Sequence, residues 1–108
     1  MALAVVAILA LTVPTHGDRF KPPRVPEPVR SGLICIHSHE GAWNDSGAPY
    51  WGGLQMDVPF MRAYGWPFLR HWGTADHWPP WAQLWAGYRA WRVRGYSPWP
   101  NTRRMCGL

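Results

Sequence analysis

Carboxylates are scarce in this chain. Six Asp and Glu stand against eleven Lys and Arg, and between residues 30 and 108 the acids are only Glu40, Asp45, Asp57 and Asp76. Cysteine is nearly absent. Cys35 and Cys106 are the only two, and two thiolates alone cannot make a structural zinc site. His37 and His39 are two apart, so they face different sides of a helix. Neither they nor His71 and His77 supply a His-Glu-x-x-His pattern, so no metal and no cofactor is expected. The one long apolar run, residues 2–13, is short of the roughly 20 residues that a membrane-spanning helix needs. No stable membrane span is therefore expected. Lysine is limited to Lys21, and the ten arginines are scattered rather than run together. That argues against a dedicated nucleic-acid arm. No internal repeat is visible.

The uncharged run near the start suits the apolar region of a secretory signal. Cleavage after Gly17, with Thr15 at the −3 position, is tolerable; the alternative is an uncleaved N-terminal anchor. Residues 1–17 are thus read as signal or anchor. Residues 18–29 carry Pro22, Pro23, Pro26 and Pro28, and proline fixes φ and lacks an amide donor. This stretch reads as an extended, semi-rigid linker. The folded unit is then 30–108, small enough to need reinforcement. Cys35 and Cys106 lie near its two ends. A bridge between them would contribute about 4 kcal/mol in the chain-entropy model, and export favours the oxidised pair. The alternative is two unrelated buried thiols.

Nine tryptophans exceed what so small a domain buries completely. Most belong to the core, and two or three remain to line a groove. Trp43, Trp51 and Trp78 are the candidates. The net charge of +5 suits a polyanion such as a bacterial wall, an anionic membrane or nucleic acid, and charge alone does not choose among them.

Val29, Leu33, Ile34 and Ile36 give a broken helical stripe. Ser31 is placed to cap its start and Gly41 to stop it, so a first helix is expected at 31–40. Asn44-Asp45-Ser46-Gly47 is turn chemistry. Tyr50 to Met56 reads as a short strand, half of a small hairpin. Asp57 caps a second helix at 58–64, ended by Gly65 and Pro67. Residues 65–78 read as an aromatic loop. Pro79-Pro80 opens a third helix, 80–94, with Leu84, Tyr88 and Trp91 on one face. Gly95 ends it, and Cys106 ties back the tail 96–108. The sum is an α+β domain, about three helices around a β-hairpin.

Glu40 then stands at a helix C-terminus, whose partial negative charge disfavours a carboxylate. Ile36, one turn earlier, adds an apolar neighbour, and Trp43 and Trp51 are placed to exclude water. Together these raise the pKa of a carboxyl, as cleavage of a glycosidic bond requires of its proton donor. The alternative is a solvated Glu at a helix end. No second carboxylate stands out: Asp45 is explained by a turn, Asp57 by a cap, and Asp76 by a cap or loop. A single-acid mechanism follows, in which the substrate supplies the nucleophile. Gly52-Gly53 allows close approach of backbone to a ligand, or else marks a bulge or tight turn.

Cys35 with Glu40, Tyr50-Trp51-Gly52-Gly53-Leu54-Gln55-Met56, Gln83, Trp99-Pro100 and Cys106-Gly107 occur in one order over 30–108. This set resembles the transglycosylase-like domains of actinobacterial resuscitation-promoting factors and related secreted lysozyme-like proteins. Four departures stand out: the cysteine lies five residues before the Glu instead of next to it, Met56 replaces a usual Phe, the tail between Pro100 and Cys106 is longer, and residues 66–80 have no clear counterpart. The resemblance implies a lysozyme-like fold and a secreted, wall-associated enzyme. Its substrate would be peptidoglycan, cut at the β-1,4 bond between N-acetylmuramic acid and N-acetylglucosamine. Glu40 would be the catalytic acid and base. Gln55 and Gln83 would bind the glycan, with Tyr50, Trp51, Gly52 and Gly53 beside them. The product is a 1,6-anhydro sugar if the substrate's own 6-hydroxyl attacks, and a reducing sugar if water does. A partner wall hydrolase and a non-catalytic wall-binding module both remain open.

Overall fold

The first helix starts earlier than its serine suggests. α1 spans Val29–Glu40, and Ser31 is not its cap. Glu27, outside the helix, accepts from the Ser31 amide at 2.8 Å and from the Ser31 hydroxyl at 2.9 Å. Those bonds, the backbone one foremost, hold the Glu27 carboxyl below the usual carboxylate range. The carboxylate thus satisfies a free N–H of the first turn. The computed structural model describes residues 22–108. The signal or anchor at 1–17 and the linker's first residues, 18–21, lie outside the described residues.

The other helices follow local rules. α2, Val58–Tyr64, begins at Asp57, whose side chain accepts from the Phe60 amide at 2.9 Å. α3, Trp66–Trp72, occupies part of the expected loop. Pro67 was expected to end a helix, but in a first turn it breaks no helical hydrogen bond. α3 buries no residue fully; Phe68 and Trp72 hold it edge-on against Trp81. A 3-10 turn at Ala75–His77 leads to α4, Pro80–Arg94, which ends at Gly95 with φ +60°. α5 is a single turn, Thr102–Met105, before Cys106.

The expected α+β arrangement is overturned. Among the described residues no strand forms, and the hairpin is absent: Trp51 and Met56 make one isolated antiparallel bridge. Two residues between them turn the chain back. Gly52 has φ +78° and Gln55 has φ +49°, and the Gln55 amide donates to the Gly52 carbonyl at 3.2 Å. A left-handed residue every three positions folds a segment into a turn and cannot continue a strand. The domain is a small helical one with a single disulfide, which is not the lysozyme-like α+β arrangement that was expected.

Its core lies between α1 and α4. Leu33 and Ile36 of α1 have no exposed surface. They meet the small face of α4, on which Ala82, Ala86, Gly87 and Ala90 are buried. Gly87 is required by space: a Cβ there would stand 2.8 Å from Leu54 Cδ1. Tyr88 and Trp91, from the aromatic stripe, are only half-buried on the flank, stacked on each other at 5.9 Å. The described end of the proline-rich stretch lies against α4. Val25 is buried, and Trp85 Nε1–H donates to the Pro23 carbonyl at 2.9 Å.

The Cys35–Cys106 bridge forms, with Cα atoms 6.0 Å apart, and it fastens the end of the chain to α1. Among the described residues no helix is long and apolar enough to cross a membrane. Truncating Leu33→Ala is expected to cost about 2–5 kcal/mol, as for other enclosed leucines. Urea unfolding of the oxidised chain measures this, and a loss below about 1 kcal/mol would refute the close α1–α4 packing.

Candidate functional site

Glu40 is the last residue of α1. Its Oε1 accepts from Thr102 Oγ1 at 2.9 Å. Thr102 opens α5, which the disulfide ties to α1, so the two ends of the domain meet at this carboxylate. Ile36, one turn earlier, is wholly enclosed.

Gly41 follows with φ 175°, an extended conformation open to any residue, so its reason for being glycine is space. A Cβ there would lie 3.0 Å from Gln55 Nε2 and 3.1 Å from Asp45 Oδ2. Asp45 and Gln55 are thus pressed against the backbone next to Glu40. Asp45 performs its turn role, with Oδ1 accepting from the Gly47 amide at 2.9 Å. Its other oxygen accepts from Gln55 Nε2, also at 2.9 Å. Gln55 Nε2 donates in addition to the Gly52 carbonyl at 3.0 Å. Both amide hydrogens are then used, which orients the amide oxygen as the acceptor available to a ligand. The positive φ of Gln55 is unusual for a residue with a Cβ, and such backbone persists where the surroundings over-determine it.

Gln55 also lines a groove of about 360 Å³ with Tyr50, Asp57, Tyr64, Arg94 and Trp99. That volume lies in the range of small-ligand sites. Tyr50 is 49% exposed. Trp99 offers only an edge, since it is buried and its Nε1–H donates to the Leu54 carbonyl. Glu40 is not among the lining residues; it is next to the groove by way of Gln55.

Other expected site residues are placed differently. Gln83 has no exposed surface. Its Oε1 accepts from the Gly53 amide at 2.8 Å, and its Nε2 donates to the carbonyls of Trp43 at 2.8 Å and Trp78 at 3.0 Å. Its amide is consumed inside the protein, so it positions loops and does not face a groove. Gly52 and Gly53 do allow close approach, but of the protein's own side chains. A Cβ on Gly52 would meet Gln83 Oε1, and one on Gly53 would meet Trp43 and His37. Trp78 is a core residue, 3% exposed, donating from Nε1 to the Gly73 carbonyl at 2.7 Å. Trp43 stacks on His37, with ring centroids 3.7 Å apart; His37 Nδ1–H donates to the Gly53 carbonyl at 3.2 Å. Trp51 is half-buried at the bridge with Met56.

Asp76 closes its own turn: it accepts from Thr74 Oγ1 and pairs with His77 Nε2 at 3.2 Å. Among the described residues no arginine forms a salt bridge with a described carboxylate, and Arg30 and Arg24 act on Glu27 only at longer range. The chain matches no protein-family model, and no curated protein is significantly similar to it.

Thr102, Tyr64 and Arg94 carry no sequence signal of their own, because each joins the site through tertiary packing. Asp45 had one, its place in a turn ahead of the glutamine-bearing segment, but the turn explained it fully. Replacing Gln83→Met would leave one donor and two acceptors buried without partners, at about 1–3 kcal/mol each. A loss of about 3 kcal/mol or more is therefore expected in chemical unfolding. Unchanged stability with weakened glycan binding would instead make Gln83 a ligand-facing residue.

Proposed function

We propose that this chain is a secreted enzyme that cleaves the glycan of peptidoglycan at the β-1,4 bond between N-acetylmuramic acid and N-acetylglucosamine, with Glu40 as acid and base. The observation that carries the reading is the gathering of Glu40, Asp45 and Gln55 about Gly41, beside a groove with aromatic walls. Glu40 Oε1 is held by Thr102, which leaves Oε2 to give a proton to the departing sugar oxygen. The same carboxylate, now ionised, would take the proton of the muramic 6-hydroxyl as that oxygen attacks the anomeric carbon, closing a 1,6-anhydro ring. The resemblance to resuscitation-promoting-factor domains is part of the support, and it rests on the order of motif residues in the sequence rather than on an architecture or on Gln83 and the glycine pair.

Asp45 supports a hydrolytic variant of the same chemistry. Glycosidases that use water employ a second carboxylate, and Asp45 is the carboxylate packed against the residue that follows Glu40. Exposed arginines suit an anionic wall polymer, Arg94 at the groove among them. An oxidised disulfide suits export.

One observation favours a second reading, a wall-binding module without turnover: Glu40 lies outside the lining of the groove. Mass spectrometry of muropeptides released from purified wall separates the two. The oxidised chain is expected to release anhydro ends, and Glu40→Gln to lose about 10²–10⁴-fold in rate, the contribution of a positioned acid. Reducing ends that vanish in Asp45→Asn would make the enzyme a muramidase. Binding to insoluble wall with no release from the parent would select the module.

A further inference from the structure

Cys35 and His39 lie one helical turn apart on α1, the spacing that brings two side chains to one face. Cys106 reaches that face from beyond α5. The two sulfurs and a ring nitrogen of His39 all lie within 4.8 Å of one another. Both cysteines are half-buried and His39 is exposed, so a reductant and an ion have access. As a disulfide the sulfurs present no thiolate. Reduction by a thiol or phosphine adds two electrons and two protons, breaks the S–S bond, and leaves two thiols on segments whose Cα atoms are 6.0 Å apart.

We propose that this reduced clasp is a binding site for a thiophilic divalent cation of the zinc type, held by the Cys35 and Cys106 sulfurs and the His39 imidazole. Two thiolates and one imidazole match the ligand preference of such ions, and three protein ligands leave the fourth tetrahedral position to water. Zinc–sulfur bonds of about 2.3 Å at a tetrahedral angle put the sulfurs about 3.8 Å apart. Side-chain rotation at Cys35 and Cys106 supplies that opening while α1 stays in place. Binding expels the two thiol protons, so the exchange balances: an S–S bond and no ion when oxidised, two S–metal bonds when reduced. Either form holds α5 against α1, and therefore Thr102 against Glu40. The site does not depend on the reading of Glu40 as a catalyst.

The test is a titration of the full chain, reduced with a phosphine without oxygen, with Co²⁺ as a spectroscopic probe and then Zn²⁺. One equivalent of Co²⁺ is expected to give a thiolate charge-transfer band and strong visible bands of a four-coordinate ion, both abolished by Zn²⁺. The oxidised chain should show neither. His39→Ala should bind at least about tenfold more weakly. Near-UV circular dichroism of the tryptophans covers loss of fold. If reduction unfolds the chain, one equivalent of Zn²⁺ should restore the signal in the parent and not in Cys106→Ser. No stoichiometric spectrum, an affinity indifferent to His39→Ala, or binding without a native tryptophan signal would each overturn the proposal.

Discussion

A single buried amide holds this domain's irregular half together. Gln83 projects from α4 into the interior, with no exposed surface, and bonds the Gly53 amide and the carbonyls of Trp43 and Trp78. These three groups belong to the loop after α1, the turn at Trp51–Met56 and the segment that leads into α4. None of them is in a helix or sheet that would otherwise satisfy its backbone. Buried backbone polar groups without partners are costly, so these loops depend on one side chain for their mutual placement. Gly52 follows from it: a Cβ there would stand 2.5 Å from Gln83 Oε1.

The candidate site lies between this polar bracket and the disulfide. From one side, the bracket fixes the turn that presents Gln55, whose amide is locked on Asp45 and Gly52. From the other, Cys35–Cys106 holds α5, and α5 brings Thr102 to Glu40. Glu40 itself is placed by neither loop nor tail, but by the end of a helix whose inner face is packed tightly on α4. Its partner Thr102 is held from the tail, while its own backbone is fixed by the helix.

The parts of the fold legible in the sequence are those governed by local chemistry. Asp57 before Val58-Pro59 reads as a helix cap and is one. Pro79-Pro80 and Gly95 bound the longest helix as proline and glycine should. The disulfide was legible from the positions of two cysteines. The hairpin misled because Tyr50–Met56 has the composition of a strand, while its outcome was decided by φ at Gly52 and Gln55. Glutamine in a left-handed conformation has no sequence signature; only its double anchorage to Asp45 and Gly52 explains it. Gln83 and Trp78 misled in a similar way. A polar amide and an indole both suit a sugar, yet both are equally suited to satisfying and filling an interior without strands. His39 was set aside with His37 because the companions it has are one turn behind it and at the far end of the chain.

Asp45 shows how one residue serves two purposes that the sequence separates. One oxygen makes the turn and the other orients Gln55, so the carboxylate is fully hydrogen-bonded yet remains packed beside the residue after Glu40. A turn explains Asp45 completely, which is why its chemistry was invisible. A carboxylate that accepts from the Gly47 amide and from Gln55 Nε2 is fixed in orientation, with Oδ2 turned toward the backbone of Gly41. Two of the four carboxylates between residues 30 and 108 thus stand about one glycine, Gly41.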